Sequence, residues 1–337
     1  MSSDIRSVRR TIAVSDTWKR RLSTPTALMF MVTAAVFIIF AISSENFLTA
    51  RNLTNIAVQV APVAIVAVAG TFVITAAMID LSTGSILALV GVVGATLLAS
   101  GVQSAFVILI CISVGALCGL VNGWFSTYQG MPSFIVTLAT MSVLRGIALL
   151  MTKGFSIAIP STLIFAQLGQ SSFLGLGLTA WVALVCVVIG SIVFYRMRFG
   201  QYITGIGSNE ESVRRAGVRT NHVKMMALTL SGAAAGLAGV ITAARLGSGD
   251  ANSGFDFALT VITAVVLGGT DLLGGRGSVI GTVIGAVLIG VITNGLVMIG
   301  MSAYVVPIVT GSILLLVIWI NLRGKDLAHL LRQVVTR

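Results

Sequence analysis

The feature that most constrains this chain is the length of its uncharged apolar runs. Residues 26–42 and residues 178–195 contain no charged side chain and are mostly apolar. Runs of roughly twenty such residues are long enough to cross a hydrocarbon core of about 30 Å. Only 9% of the residues are charged, whereas soluble domains carry about 25%. The sequence therefore predicts a membrane protein with an all-α fold.

The apolar runs predict a polytopic transmembrane helical bundle of about ten spans. The predicted spans are 25–43, 56–78, 84–100, 104–124, 132–152, 178–195, 224–244, 258–271, 278–299 and 303–321. Basic residues cluster before the first span, between the sixth and seventh, and after the last. Such clusters mark the cytoplasmic side. Because an even number of spans puts all three clusters on one side, both termini are expected to be cytoplasmic.

The same placement of charge divides the chain into three predicted parts. They are a basic cytoplasmic segment 1–24, a transmembrane domain 25–322, and a basic cytoplasmic tail 323–337. The net charge of +11 is thus explained by membrane topology and indicates a lipid bilayer, not a nucleic acid, as the partner.

The eighth predicted span is unusually short. Residues 258–271 are flanked by glycines, and fourteen helical residues rise only about 21 Å. A broken helix with an unwound continuation is tolerated where it faces protein or water. The sequence predicts either such a broken helix or a loop misplaced by one or two turns.

Two turns in the chain resemble each other. Asp80-Leu81 and Asp271-Leu272 each precede a Gly-Ser pair that opens a glycine-spaced helix, and Asn122-Gly123 and Asn294-Gly295 extend the match. Transporters with internal repeats show such symmetry. Two parallel halves and two ordinary capped turns are both consistent with the pattern.

One compact charged segment interrupts this apolar chain. We define the charged segment as residues 207–224, GSNEESVRRAGVRTNHVK. Ser208 and Glu211 fit a capping box, which predicts a helix over 209–216 that Gly217 ends in a left-handed conformation. Either Thr220 or Asn221 is then expected to cap the seventh span.

A helix of about eight residues is not stable alone in water, so it must dock against something. Anionic lipid and a soluble protein are the two candidates. A lipid-surface helix needs a wide apolar face, and this helix offers only Val213, Ala216 and Val218. The composition favours a protein partner.

The charged segment resembles the motif GGNEEAARLSGI of permease subunits of ribose-type (simple sugar) ABC importers, a binding-protein-dependent transport family. ITAAMIDLSTGSILAL, PSFIVTLATMSVLRGI and AVVLGGTDLLGGRGSVIGTVIGAVLIGVITNGL are similar to further blocks of that family. Together these blocks run from about residue 47 to 320. One departure is that Ala258 and Thr260 stand where the family has acidic residues, with Asp256 displaced upstream.

The resemblance implies a protein of the bacterial inner (cell) membrane with three protein partners. They are a cytoplasmic ABC ATPase, a periplasmic or extracellular sugar-binding protein, and a second permease copy, either identical or a related chain. It also implies that the charged segment contains a coupling helix, about 208–218, that docks on the ATPase. The coupling residues implied are Ser208, Asn209, Glu210, Glu211, Arg214, Arg215, Gly217 and Val218.

No catalytic or nucleotide-binding motif is present in the sequence. The phosphate-binding pattern G-x-x-x-x-G-K-[ST] does not occur, and Gly324-Lys325 is followed by Asp326. His222 and His329 lie in basic segments without ligand spacing to a cysteine or an acid. We therefore expect no enzyme activity, metal or cofactor in this chain, with ATP and Mg²⁺ bound by the partner ATPase.

Polar residues within spans are costly and usually functional. Arg145 is predicted near the middle of the fifth span, either packed and paired between helices or contacting substrate. Asp80 and Asp271 are expected to cap cytoplasmic turns, where either could pair with Arg145 or Arg276. Neutral candidates for a translocation path or interhelical hydrogen bonds are Asn55, Gln59, Thr71, Thr75, Asn122 and Asn294.

The leading functional hypothesis is a permease that passes a simple sugar or polyol by alternating access, driven by a separate ATPase. One alternative is a permease for a branched-chain amino acid or an autoinducer-like molecule. Another is an ion-coupled secondary transporter. Such carriers generally keep ionisable groups in mid-membrane, and Arg145 alone clearly qualifies.

Overall fold

The structure is a computed structural model that describes residues 25–302, 304–305, 307–309, 311–313 and 315. These residues form a helical bundle with two small antiparallel ribbons. The helices are α1 (Pro25–Ser43), α2 (Ala50–Thr75), α3 (Thr83–Ala99), α4 (Ser104–Thr127), α5 (Ser133–Thr152), α6 (Ile164–Gln170), α7 (Leu178–Arg196), α8 (Arg198–Arg215), α9 (Thr220–Leu246), α10 (Phe257–Leu267) and α11 (Val279–Met298). The strands are β1 (Ile157–Ala158), β2 (Ser172–Phe173), β3 (Leu176–Gly177) and β4 (Ser248–Gly249), with β1 paired to β4 and β2 to β3.

The predicted polytopic all-α bundle is confirmed. Six helices of the described part are long and apolar enough to cross a membrane, namely α2, α4, α5, α7, α9 and α11. The first nine predicted spans each coincide with a helix, and α1 has the predicted bounds of 25–43. The basic segments 1–24 and 323–337 lie outside the described residues, as does most of the tenth predicted span.

The centre of the bundle is built on close backbone contact between α4 and α9. A Cβ placed on Gly115 would overlap the carbonyl oxygen of Gly232, and one on Gly232 would overlap that of Gly115. Gly119 meets the Leu228 carbonyl in the same way. Helices in lipid gain from such contact because burial in the bilayer gives them no hydrophobic drive to associate. Gly115 and Gly119 are four residues apart and therefore lie on the same face of α4.

The short eighth span is a short helix preceded by an unwound segment. α10 has eleven residues and so rises only about 16 Å. Before it, residues 247–256, here named the re-entrant segment, run along α3. Gly249 lies against Gly91 in the middle of α3, and Gly254 lies against Gly84 near its start. The chain therefore enters the bundle in a non-helical form, a short strand followed by turns, and becomes helical only at Phe257.

Replacing Gly119 by alanine tests the α4–α9 contact. We expect a loss of about 1–3 kcal/mol in unfolding free energy, because the added methyl group forces the two backbones apart. Gly146→Ala is the matched control, since Gly146 is also helical but has no atom within 4 Å of the added Cβ. The measurement is the thermal unfolding of both variants in detergent, and equal midpoints would contradict the packing described.

Candidate functional site

The charged segment belongs to a longer helix than the sequence predicted. α8 starts at Arg198, eleven residues before the predicted start at 209, and is kinked at Asn209, whose φ and ψ are −162° and 95°. The Asn209 side chain accepts a hydrogen bond from the Ser212 backbone N–H at 2.9 Å. Asn209 is therefore the N-cap of the second half of α8.

The predicted capping box is wrong. Ser208 still belongs to the first half of α8, and its hydroxyl donates to the Thr204 carbonyl at 2.9 Å. Glu211 does not reach back to Ser208 but binds Arg214 and Arg215, the latter at 3.0 Å. Hydrogen bonds from Arg214 and Arg215 hold the pKa of the exposed Glu211 carboxyl below its usual value.

The predicted end of the helix is confirmed. Gly217 has φ +86°, in the left-handed region that glycine adopts without strain. The N–H of Gly217 bonds the Arg214 carbonyl, and the N–H of Val218 bonds that of Val213. This pair of bonds is the Schellman motif. The predicted cap of the next helix is wrong, because Arg219 takes the N-cap position of α9 without a side-chain hydrogen bond.

The coupling residues implied by the resemblance divide into two faces. Glu210 and Val218 face the bundle: Glu210 accepts from Lys224 of α9 at 3.0 Å, and Val218 packs with Val213 against a buried cluster that includes Phe72. The exposed residues are Ser208, Asn209, Glu211, Arg214, Arg215 and Gly217. The segment thus presents a polar, charged surface on a rigid base.

The charged segment is held at the kink by a contact between glycines, here named the glycine junction, that involves Gly207 and Gly275. A Cβ on Gly207 would overlap the Thr75 carbonyl oxygen at the end of α2, and one on Gly275 would lie 2.7 Å from the Ser208 hydroxyl. The Gly275 N–H donates to the same Thr75 carbonyl at 2.9 Å. The charged segment, the end of α2 and the 268–278 loop are therefore in direct backbone contact.

Asp80 is the centre of a buried hydrogen-bond network. Its carboxylate accepts from the Ser82 backbone N–H at 2.9 Å, the Ser82 hydroxyl at 2.6 Å and the Ser231 hydroxyl at 2.7 Å. Asn122 donates to the Ser82 hydroxyl at 2.9 Å and accepts from Thr140 at 2.6 Å. The network ties α3, α4, α5 and α9 together.

The depth of the Asp80 network inside the bundle was not predicted from the sequence. Ser231 lies eleven residues into α9, or about 17 Å from the helix start. Asp80 therefore lies well inside the bundle and is not a cap at a cytoplasmic helix end. Asp80 and Arg145 are not paired either, because the three donors to Asp80 are backbone and serine groups.

The two similar aspartate turns contain the same type of hydrogen bond. In each, the carboxylate accepts from the backbone N–H two residues ahead: Ser82 for Asp80 at 2.9 Å, and Leu273 for Asp271 at 3.0 Å. Asp271 forms only this turn, and Ser278 is the cap of α11, where its hydroxyl accepts from Gly281 at 3.0 Å. Asp271 therefore shapes the loop next to the charged segment without capping a helix.

The neutral candidates join helices more often than they face open space. Asn294 and Asn52 exchange two amide hydrogen bonds of 2.9 and 3.0 Å between α11 and α2. The Thr71 and Thr282 hydroxyls lie 2.8 Å apart between the same helices. Asn52 was missed, although its position one helical turn before Ile56 on the buried face of α2 was a usable signal.

The remaining candidates on α2 occupy different environments. Asn55 is exposed, Gln59 is half-buried, and Thr75 is fully buried. Within the described residues, the Thr75 hydroxyl has no hydrogen-bond partner. None of these three side chains lies in the Asp80 network.

Arg145 lies at the thirteenth position of α5 and contacts an aromatic ring. Its guanidinium carbon is 4.6 Å from the ring centroid of Phe255 in the re-entrant segment. No ion pair to Arg145 is found within the described part of the chain. The predicted packing of Arg145 is thus a cation–π contact rather than a salt bridge.

Within the described residues, no group of three histidine, cysteine or acidic side chains could hold a metal ion. The three cysteines are free thiols. The chemistry this arrangement offers is docking at the charged segment and hydrogen bonding inside the bundle.

Comparison with known proteins identifies similar chains. The family model described as "Branched-chain amino acid transport system / permease component" matches residues 52–318. The ribose import permease of Escherichia coli K12 is 36% identical over 281 residues, covering 82% of this chain and 88% of the relative. The Bacillus subtilis ribose import permease is 36% identical, covering 84% and 88%. The D-allose transport system permease of E. coli K12 is 33% identical, covering 85% and 88%. No solved structure matches the chain.

Replacing Asp80 by alanine tests the buried network. We expect a loss of about 2–3 kcal/mol in unfolding free energy, because the hydroxyls of Ser82 and Ser231 lose their shared acceptor in a buried place. Asp80→Asn, which keeps one acceptor oxygen, should lose less. Asp256→Ala removes an exposed carboxylate and serves as control. Thermal unfolding in detergent measures all three, and a fully stable Asp80→Ala protein would disprove the anchoring role.

Proposed function

Because the chain belongs to the family of branched-chain amino acid transport system permease components, we propose that it passes a simple sugar or polyol through the membrane as part of an ABC importer. It is a multi-pass protein of the inner membrane and a transport component, not an enzyme. Relatives named for ribose and allose support the sugar class. The family description names branched-chain amino acids, but the relatives with individual names transport sugars, so an amino acid permease is not favoured. An ion-coupled carrier is not favoured either.

The ATPase that drives transport docks on the exposed face of the charged segment. The observation that carries this proposal is the rigid seating of a polar surface: Asn209 caps it, Gly217 ends it, and the Glu210–Lys224 pair holds it to α9. A surface with both signs of charge suits a soluble protein better than an anionic lipid. ATP and Mg²⁺ are bound by that ATPase, since this chain has no phosphate-binding loop.

Movement of the docked segment passes into the bundle through the glycine junction. Gly207 abuts the Thr75 carbonyl, which also binds Gly275. A shift of α8 therefore displaces both the end of α2 and the loop that leads into α11. Rigid elements that share such contacts move as one body, which is the requirement for alternating access.

The sugar path follows the face that carries the re-entrant segment. Non-helical backbone at membrane depth is tolerated only where it is buried in protein or lines a water-filled cavity. Asn252 and Asp256 in this segment are exposed, so lipid is not their neighbour. A second permease copy closes this face, and an outer sugar-binding protein delivers the substrate. The exposed Asn55 and half-buried Gln59 of α2 contact sugar near its outer end.

The topology that fits this function has ten spans and cytoplasmic termini. Arg196 and Arg198 precede the charged segment, Arg219 lies within it, and all three are exposed. Under the positive-inside rule they belong to the cytoplasm, the side from which an ATPase can dock. The tenth span, 303–321, then returns the basic tail to the same side.

Reversing two charges tests the docking surface. We expect Arg214→Glu/Arg215→Glu to weaken ATPase binding by about tenfold or more, because the double change reverses the charge of the docking surface at two exposed positions and removes the ion pairs with Glu211. Arg196→Glu/Arg198→Glu carries the same change in charge on the same side and is the control. The measurement is co-purification of the ATPase with the permease. Equal recovery of the ATPase from both variants would exclude this surface as its docking site.

Transport itself is tested in proteoliposomes. Uptake of labelled ribose is expected only when the permease, the ATPase, the binding protein and ATP are all present. Uptake by the permease alone along a proton or sodium gradient would instead identify an ion-coupled carrier. Competition by leucine but not by ribose would identify an amino acid permease.

A further inference from the structure

Arg145 holds its charge in an unusual place. It is twelve residues beyond the start of α5, about 18 Å along the helix, and so near mid-membrane. A cation facing lipid at that depth is strongly unfavourable. No carboxylate of the described residues forms an ion pair with it, and its buried Nε has no hydrogen-bond partner. The guanidinium therefore retains unused donors.

Phe255 is its neighbour and is equally unusual. The side chain is 71% exposed although the residue lies at membrane depth in the re-entrant segment. Gly254, one residue before it, is packed against Gly84 at the start of α3. That contact fixes the backbone, so the exposure of the ring follows from a fixed chain position.

Polar side chains are exposed near this pair, beside exposed apolar ones such as Val143 and Leu259. Asn252 and Asp256 of the same segment are exposed, as is Ser142 one turn before Arg145 on α5. Unwound backbone with exposed polar groups must face water or protein at this depth. The pair Arg145–Phe255 thus borders an aqueous space within the membrane.

The chemistry of the pair fits a neutral polyhydroxylated molecule. The face of an aromatic ring is apolar and packs against the C–H groups of a sugar ring. A guanidinium offers five N–H donors in a planar fork and no acceptor, so it can bind sugar hydroxyl oxygens. The guanidinium carbon lies over one face of the ring, 4.6 Å from its centroid. The ring is 71% exposed, so its opposite face and the unused N–H donors of Arg145 are available to one monosaccharide.

We propose that Arg145 and Phe255 form a sugar-contact site midway along the translocation path, with the Phe255 ring stacking on the sugar and Arg145 binding its hydroxyls. The proposal rests on the proposed function of sugar import and names residues that carry it out. One ring and one cation make a weak site, which allows the sugar to leave toward the cytoplasm. A substrate with a carboxylate would instead form a strong charge-assisted pair with Arg145.

The test compares sugar uptake with ATP hydrolysis in proteoliposomes that contain the permease, its ATPase and its binding protein. Phe255→Ala and Arg145→Gln are each expected to lower initial ribose uptake by about tenfold. ATP hydrolysis stimulated by the binding protein should stay within about twofold of the wild-type rate, because neither substitution touches the docking surface for the ATPase. Phe255→Tyr keeps the ring face and should retain uptake.

Leu259→Ala is the matched control, since Leu259 is an exposed apolar residue one turn further on in α10. It should leave uptake unchanged. If Phe255→Ala does not insert into the membrane, Phe255→Ile replaces it, because isoleucine keeps apolar bulk without a ring face. Its uptake should fall like that of the alanine variant.

Several outcomes would overturn the proposal. Wild-type uptake in both Phe255→Ala and Arg145→Gln excludes the contact while leaving sugar import intact. Equal loss of uptake and ATP hydrolysis makes the pair a structural or gating element. A wild-type complex that takes up leucine but not ribose, and loses leucine uptake in both variants, would point to a ligand with a carboxylate. Failure of the wild-type complex to import ribose refutes the proposed function itself and is recognised without any variant.

Discussion

Close contact between helix backbones is the constraint on which the rest of this structure depends. Helices in lipid gain little by hiding apolar side chains from each other, so contact must come from small residues. Gly115 and Gly232 let α4 and α9 touch at the backbone, and Gly281 does the same for α11 against Gly268. The same device recurs at the charged segment, where Gly207 and Gly275 bring three chain segments together. One kind of residue thus builds both the bundle and its link to the surface.

Buried polar groups fix the register between helices, which glycine packing leaves undetermined. Packing of small residues permits two helices to slide, whereas a hydrogen bond between them specifies a register. The Asp80 network specifies how α3, α4, α5 and α9 meet, and the Asn52–Asn294 pair specifies α2 against α11. Asp80 and Asp271 form the same turn, yet one anchors the interior and the other shapes a loop. If the two halves share an origin, their turns have acquired different tasks.

Local signals in the sequence were sufficient for most of the architecture. Spans follow from apolar length, so α1 was predicted with its observed bounds, and the left-handed Gly217 followed from helix-end chemistry. The capping box failed because Ser208 lies inside a helix that starts at Arg198. Phe199, Tyr202, Ile203 and Ile206 have helical spacing and supplied the signal for that earlier start.

What the sequence could not supply was contact between distant residues. Asp80 and Ser231 are 151 positions apart, and nothing local indicates that they meet. The neighbour of Arg145 is equally remote, since Phe255 reaches it only because the re-entrant segment runs along α3. Turn chemistry alone predicted that Asp80 caps a turn at the membrane surface, whereas the fold places it in a buried network with Ser231 of α9.

The kink at Asn209 has a consequence for how such a permease diversifies. Residues that seat the segment, such as Glu210 and Val213, point inward, while Glu211 and Arg215 on the adjoining turns point outward. Substitutions on the outward positions leave the buried contacts untouched. Under the proposed docking, a lineage can change which ATPase it recruits by substitutions at a few surface positions, while the buried contacts that hold the segment are inherited unchanged.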